Sequence, residues 1–400
     1  MPLDVDRLLD DPRTRIIVCC GSGGVGKTTT AAALGLRAAE RGRHVVVLTV
    51  DPARRLAQSM GLTSLDNTPR PVPDAAGSAT GPRGGGSLHA MMLDMKRTFD
   101  EIVEAHSEPD RAAQILANPF YQSLSSSFAG TQEYMAMEKL GQLRQSDEWD
   151  LIVVDTPPSR SALDFLDAPQ RLGRFLDGRL IRLLSAPTRV GGRAYMRVVT
   201  AGFGMLTGVI TKVIGTQVLR DVQTFVAAFD TMFGGFRQRA DDTYRLLQAP
   251  GTAFLVIATP EPDALREASY FVERLSQDQM PLAGLVVNRV HRSPAAQLSA
   301  ARSLAAAETL ESAPASALIS PNETSTASPV RYPLAVTALR LHAERMQLGE
   351  RERRLEEHFT AAHPVIPVAE VPAQPEDVHD LDGLRAVGAD LARAADTEVS

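Results

Sequence analysis

Short unbroken apolar runs, each about one strand long, recur along the chain with helical patterns between them. They fall at 15–20, 44–50, 88–93, 151–154, 253–258, 282–288 and 365–371. Runs without polar alternation are what strands need when both faces of their sheet are covered. Their alternation with helices predicts an α/β fold, a doubly wound and mainly parallel sheet whose ligands gather at the carboxyl ends of the strands. Two stretches break the rhythm and read as mobile loops: 62–87, with its Pro/Gly runs, and 311–333, rich in Ser, Pro and Thr. About a hundred residues of helical pattern separate the runs at 151–154 and 253–258, too many for a simple crossover. The expected organisation is a core in two parts, 1–168 and 251–400, with a helical subdomain inserted at 169–250. Residues 334–360 read as one more helix, and its Glu344, Arg345, Glu350, Arg351, Glu352, Arg353 and Arg354 as a solvated face.

The insert contains the one segment, Val198 to Leu219, with the apolar length to be weighed as a membrane span; Lys212 and several Gly and Thr residues interrupt it, and the reading goes against a span. Met196, Phe203, Met205, Leu206, Val209, Ile210, Val213 and Ile214, continuing to Phe225, Phe229, Met232 and Phe233, fit an adaptable apolar groove. They fit the subdomain's own core, or a subunit interface, equally well.

Composition narrows the chemistry. The chain has 400 residues and a net charge of −6, which argues against nucleic acid as the main partner. Cys19 and Cys20 are its only cysteines; adjacent on a predicted strand, they face opposite ways and read as core. Neither a zinc Cys-x-x-Cys pair nor a histidine cluster is present, so no zinc site is expected. The amino-terminal residues lack the basic-then-apolar order of a secretory signal, which points to a cytoplasmic protein.

Between the first apolar run and a helical pattern stands Gly21-Ser22-Gly23-Gly24-Val25-Gly26-Lys27-Thr28-Thr29. Strand, glycine-rich loop and helix in that order form a phosphate-binding loop: backbone N–H groups turn inward on a phosphate and the helix adds its positive end. Lys27 suits the β- and γ-phosphates, and the Thr28 hydroxyl suits Mg²⁺. Hydrolysing a triphosphate further needs a metal-holding carboxylate and an oriented water. Asp51 after the second run and Asp155 after the fourth stand at strand ends where they supply both, although a lone aspartate there also caps helices.

These residues resemble the ArsA family, which includes the arsenical-pump ATPase and the guided-entry ATPase for tail-anchored membrane proteins, within the deviant Walker A group. The loop is similar to Gly-Lys-Gly-Gly-Val-Gly-Lys-Thr-Thr, Asp51-Pro52-Ala53 to the family's first switch, and Asp155-Thr156-Pro157-Pro158-Ser159 to its Asp-Thr-Ala-Pro-Thr switch. Ala129-Gly130-Thr131-Gln132-Glu133 resembles its Pro-Gly-Ile-Asp-Glu stretch, and Leu88 to Asp94 its third strand. The likeness implies a dimeric switch that hydrolyses ATP to ADP with Mg²⁺ held through Thr28, Asp51 and Asp155. It further implies that Asp51 positions the water, that Asn288 reads adenine, and that the loop from Val371 through Pro372 to Pro375 closes over the base. Asn288 also reads as a plain turn residue after a strand.

Three departures qualify the resemblance. Arg54-Arg55 stands where the family's first switch continues His-Asn or His-Ser, and the zinc and metalloid cysteines are missing. Ser22 occupies the position of the signature lysine that reaches the partner's phosphates across the dimer. A cation supplied in trans is worth roughly 10³- to 10⁵-fold in rate. The expected partner is therefore a paralogue that keeps this lysine, in a heterodimer; a homodimer is the other arrangement, with Arg54 or Arg55 as substitute cation. Paired ArsA-like "anion-transporting ATPase" subunits of actinobacteria are similar, and four lysines among 42 basic residues are in keeping with them. Two rival readings stand beside this one: a chaperone or targeting factor for apolar segments with little ATPase, and a signal-recognition-type GTPase. The latter's Asp-Thr-Ala-Gly-Arg switch and Thr-Lys-x-Asp guanine reader are absent. A membrane-protein client or transporter is the expected further partner, which would leave the protein peripheral to a membrane.

Overall fold

The computed structural model describes residues 1–50, 54–75, 85–119, 121–122, 125, 131–157, 238–239, 241–312 and 332–393. Their strands are β1 (Ile16–Cys20), β2 (His44–Thr49), β3 (Arg70–Pro71), β4 (Ser87–Met92), β5 (Leu151–Asp155), β6 (Thr252–Ala258), β7 (Leu282–Val290) and β8 (Val368–Pro372). They form one eight-stranded sheet in the order β3-β4-β2-β5-β1-β6-β7-β8. Every pairing is parallel except β3 with β4. The α/β doubly wound architecture expected from the apolar runs is thus the one observed. All residues of β1, β5 and β6 are buried, as unbroken Val/Ile/Leu runs require when helices cover both faces.

The helices are α1 (Val5–Asp10), α2 (Lys27–Glu40), α3 (Arg54–Ser59), α4 (Met95–His106), α5 (Pro109–Leu116), α6 (Thr131–Gln145), α7 (Pro262–Gln277), α8 (Ala300–Ser312), α9 (Pro333–Ala362) and α10 (Leu381–Arg393). Start signal and buried stripe go together in two of them. Asp94 caps α4 by accepting from the Arg97 N–H at 2.9 Å, and Phe99, Ile102 and Val103 follow on one face. Pro262 opens α7, which buries Leu265, Ala268, Phe271, Val272 and Leu275. α10 packs against α2, and α8 against α9. Arg43 is 3% exposed and stitches the bottom of the sheet together, its guanidinium donating to the carbonyls of Leu9 (2.9 Å), Thr14 (2.6 Å) and Asp150 (2.5 Å).

Two expectations change. The stretch 62–87 is not loop throughout: Arg70–Pro71 forms the edge strand β3, the Val72 N–H donates to Leu88 O at 2.9 Å, and Val72 and Ala75 are buried. Proline is admissible there because an edge strand has one side with no partner to receive an N–H. The charged face of α9 is not wholly solvated either. Glu352 is 5% exposed and accepts from the His291 N–H at 2.8 Å, its other oxygen lying 2.7 Å from the His291 ring. Among the described residues no helix is long and apolar enough to cross a membrane. Val198–Leu219 and the Met- and Phe-rich positions 196–233 lie outside the described residues, as does 313–331.

Candidate functional site

At the centre of the sheet β1 runs directly into the glycine loop. Gly21 has φ +151°, and a Cβ there would stand 2.1 Å from the Ile257 carbonyl oxygen, so the chain leaves β1 pressed against β6. Gly23 and Gly24 are exposed on the crest, and Val25 is buried beneath it. Gly26 caps α2 in the left-handed conformation with no side chain bonded to the first-turn N–H groups. An uncapped helix start facing a glycine loop is an anion cradle.

Lys27 is 6% exposed, and its Nζ donates to the Ser22 carbonyl at 2.8 Å. Asp155 ends β5 between β2 and β1, in register with Thr49 on one side and Cys19 on the other. It is fully buried. One of its oxygens, Oδ2, accepts from Thr28 Oγ1 at 2.7 Å and from Thr49 Oγ1 at 2.9 Å. Its carbonyl takes the Val50 N–H at 3.1 Å, and the Thr156 hydroxyl donates to Cys19 O at 2.8 Å, so backbone and side chain are fixed together. Carboxylate and hydroxyl oxygens at the mouth of a phosphate cradle are hard donors, and these residues fit Mg²⁺. Thr49 was not singled out from the sequence; its signal was a polar residue within an apolar run, two positions before Asp51.

Of the remaining expected residues, Thr29 follows in the first turn of α2, partly buried. Asn288, near the end of β7, is 8% exposed and lies against the loop: its Nδ2 donates to Val25 O at 2.8 Å and its Oδ1 accepts from the Arg289 N–H at 3.0 Å. A Cβ on Gly26 would fall 2.2 Å from that Nδ2. Pro372 ends β8 beside Val290, and Gln374 Nε2 holds the following loop by donating to Pro372 O at 3.2 Å and Asp390 Oδ2 at 3.0 Å. Asp51, Pro52 and Ala53 lie outside the described residues, as do Ala129 and Gly130 and the side chains of Arg54 and Arg55. Cys19 and Cys20 are buried in the strand, and burial pushes the Cys20 thiol up to about 12 and Cys19 well above its usual value. Neither is a thiolate near neutral pH. Among the described residues no cluster of three or more His, Cys, Asp and Glu could hold a metal ion.

Residues 14–313 match the model of the anion-transporting ATPases, the ArsA ATPase family, from just before β1 to the end of α8. The chain belongs to this family. An ATPase GET3 of Malassezia globosa is 30% identical over 175 residues, 44% of this chain and 48% of that protein. An ATPase get3 of Schizosaccharomyces japonicus is 23% identical over 295 residues, 74% of this chain and 80% of that protein. An ATPase ASNA1 homolog of Cryptosporidium parvum is 25% identical over 271 residues, 68% and 63%. The chain thus spans about half the length of the first of these relatives and four fifths of the second. Family and relatives alike are named ATPases, in line with the ATP reading and not with the GTPase one.

Proposed function

We propose that this ArsA-family chain is an Mg²⁺-dependent ATPase acting as one half of a two-subunit switch. The observation that carries the reading is the buried Asp155 carboxylate, bonded to Thr28 and Thr49 beside a glycine loop whose lysine is held at Ser22 O. On binding, Lys27 exchanges that carbonyl for the β- and γ-phosphates, and the N–H groups of Gly23 to Thr29 take the remaining phosphate oxygens. Thr28 and Asp155, together with Asp51, would hold Mg²⁺, which would supply charge neutralisation at the transferring phosphate when bound. Asp51 orients the attacking water, whose oxygen bonds to the γ-phosphorus as the bond to the ADP oxygen breaks; ADP and inorganic phosphate leave. Asn288 and the loop at Pro372 bound the adenine side. Replacing Lys27 by alanine should abolish binding of Mg·ATP; retained binding overturns the reading.

The partner we infer is a paralogue carrying lysine where this chain has Ser22. Serine brings no charge to the partner's phosphates, so the chain alone should hydrolyse slowly and a mixed pair faster. ATPase rates of the chain alone, of the mixture, and of Ser22→Lys test this; no rise in any mixture or in the variant defeats it. The switch would act in the cytoplasm, through the insert at 169–250, on a membrane-linked client or transporter. A client-binding factor with little ATPase is the second reading, favoured by Ser22 itself. Crosslinking from Met205 or Phe229 separates them: many apolar peptides support the client factor, one integral-membrane partner the transporter subunit, and the sister subunit alone neither.

A further inference from the structure

From Gly284 to Val290 every residue of β7 is buried except one, and that one is an arginine, Arg289. Its backbone stands at φ +63°, the left-handed region that a residue with a Cβ seldom occupies. The cause is local. The register of β7 on β8 shifts between Asn288, opposite Val371, and Val290, opposite Pro372, which makes Arg289 the extra residue of a bulge. The strained conformation is held from both sides: Asn288 Oδ1 accepts the Arg289 N–H at 3.0 Å, and the carbonyl of buried Val290 accepts the Ala373 N–H at 2.9 Å. Glycine would sit there without strain. An exposed arginine kept in its place directs attention to what the side chain reaches, because strain of this kind gathers at functional sites and bulges re-aim side chains beside them.

The bulge lies one residue from a contact with the glycine loop. Asn288 donates to Val25 O at 2.8 Å, and consecutive Cα atoms are about 3.8 Å apart, so the Arg289 side chain starts near the mouth of the cradle. Its charge is uncommitted. Among the described residues Arg289 makes no ion pair, whereas Arg292, on the same edge, is tied to Glu370 and Glu356. The loop itself supplies Lys27, and Ser22 offers that lysine a carbonyl but brings no charge. A triphosphate carries more negative charge than one lysine and a divalent ion neutralise. A guanidinium forks onto phosphate oxygens through charge-assisted hydrogen bonds.

We propose that Arg289 is a second phosphate-binding cation, its guanidinium donating to phosphate oxygens of the nucleotide held in this chain's own glycine loop. The proposal rests on the nucleotide reading above and adds to it a contact from outside the loop. Neighbouring residues then divide the work: the Asn288 amide braces the loop, and the bulge turns Arg289 toward what the loop holds.

Two substitutions separate the charge from the backbone. Arg289→Gln removes the charge and leaves the strain; Arg289→Gly removes both, and each keeps the N–H that Asn288 accepts. Calorimetric titration of inorganic tripolyphosphate and of ATP into the full chain should show affinity for both ligands lowered roughly tenfold or more in each variant. In urea unfolding the midpoint of Arg289→Gly should lie above that of the wild type. A glycine variant that unfolds earlier than the wild type makes Arg289 a structural residue and overturns the proposal. Unchanged tripolyphosphate affinity in either variant overturns it too, as does a loss confined to ATP, which would put the arginine on the base or ribose; the loop reading stands in these cases. A wild type that binds neither ligand removes the nucleotide reading, and this contact with it.

Discussion

Replacing Gly21 by alanine sets the described geometry its sharpest test. The new Cβ would lie 2.1 Å from a backbone oxygen, Ile257 O, which cannot rotate away as a side chain does. Relief requires the end of β1, where Cys20 is in register with Val256, to part from β6. Overpacking of this kind costs about 1–3 kcal/mol. A φ of +151° for a residue with a Cβ adds about 1–3 kcal/mol of backbone strain. The sum, about 2–6 kcal/mol, is a large part of a typical domain stability of about 5–15 kcal/mol. Gly26→Ala is the control: its Cβ would meet only the end of the Asn288 side chain at 2.2 Å, which can swing aside. That variant should lose the Asn288–Val25 bond and pay its own backbone strain, about 2–4 kcal/mol together. Urea unfolding followed by circular dichroism gives both values, and an unchanged slope shows that the folded state is otherwise intact. Gly21→Ala within about 0.5 kcal/mol of wild type, the range of an inert surface change, would refute the packing of the loop on β6.

Further outcomes follow from other contacts. Arg43→Met leaves the carbonyls of Leu9, Thr14 and Asp150 without their donor and should lower stability by about 3–5 kcal/mol, read from the urea midpoint, with no direct effect on nucleotide affinity. Asp155→Ala removes the acceptor shared by Thr28 and Thr49, and should lose Mg²⁺-dependent hydrolysis while tripolyphosphate still binds without the ion; full activity would remove Asp155 from the site. Burial, then the neighbouring Glu370, pushes the Glu356 carboxyl up to about 7. The folded chain therefore holds a proton that the unfolded chain releases near 4.5; the stabilisation is complete below that pH and is lost as pH rises to about 7. Glu356→Gln should flatten stability between pH 5 and pH 7 relative to wild type, and an unchanged profile would discard the burial argument.

Legibility in the sequence followed the range of the forces involved. The strands were readable because a sheet covered on both faces needs unbroken apolar runs, and β6, expected at 253–258, begins only one residue earlier. The glycine loop was readable because its pattern is contiguous: glycines, lysine and threonine lie in nine successive residues. Edge strand β3 escaped notice since two residues beside prolines carry no period, and their strand character exists only through pairing with β4.

What the sequence determined by itself was local: element type, loop chemistry and the presence of Asp155 at a strand end. Tertiary structure decided what stands beside what. It put Thr49 on the same carboxylate oxygen as Thr28, and Asn288, 263 positions away in the chain, on the carbonyl of Val25. It also turned Glu352 from a member of a charged run into the buried partner of His291. Parallel strands joined by long crossovers bring distant residues to one edge, and no local periodicity encodes which neighbours they meet there.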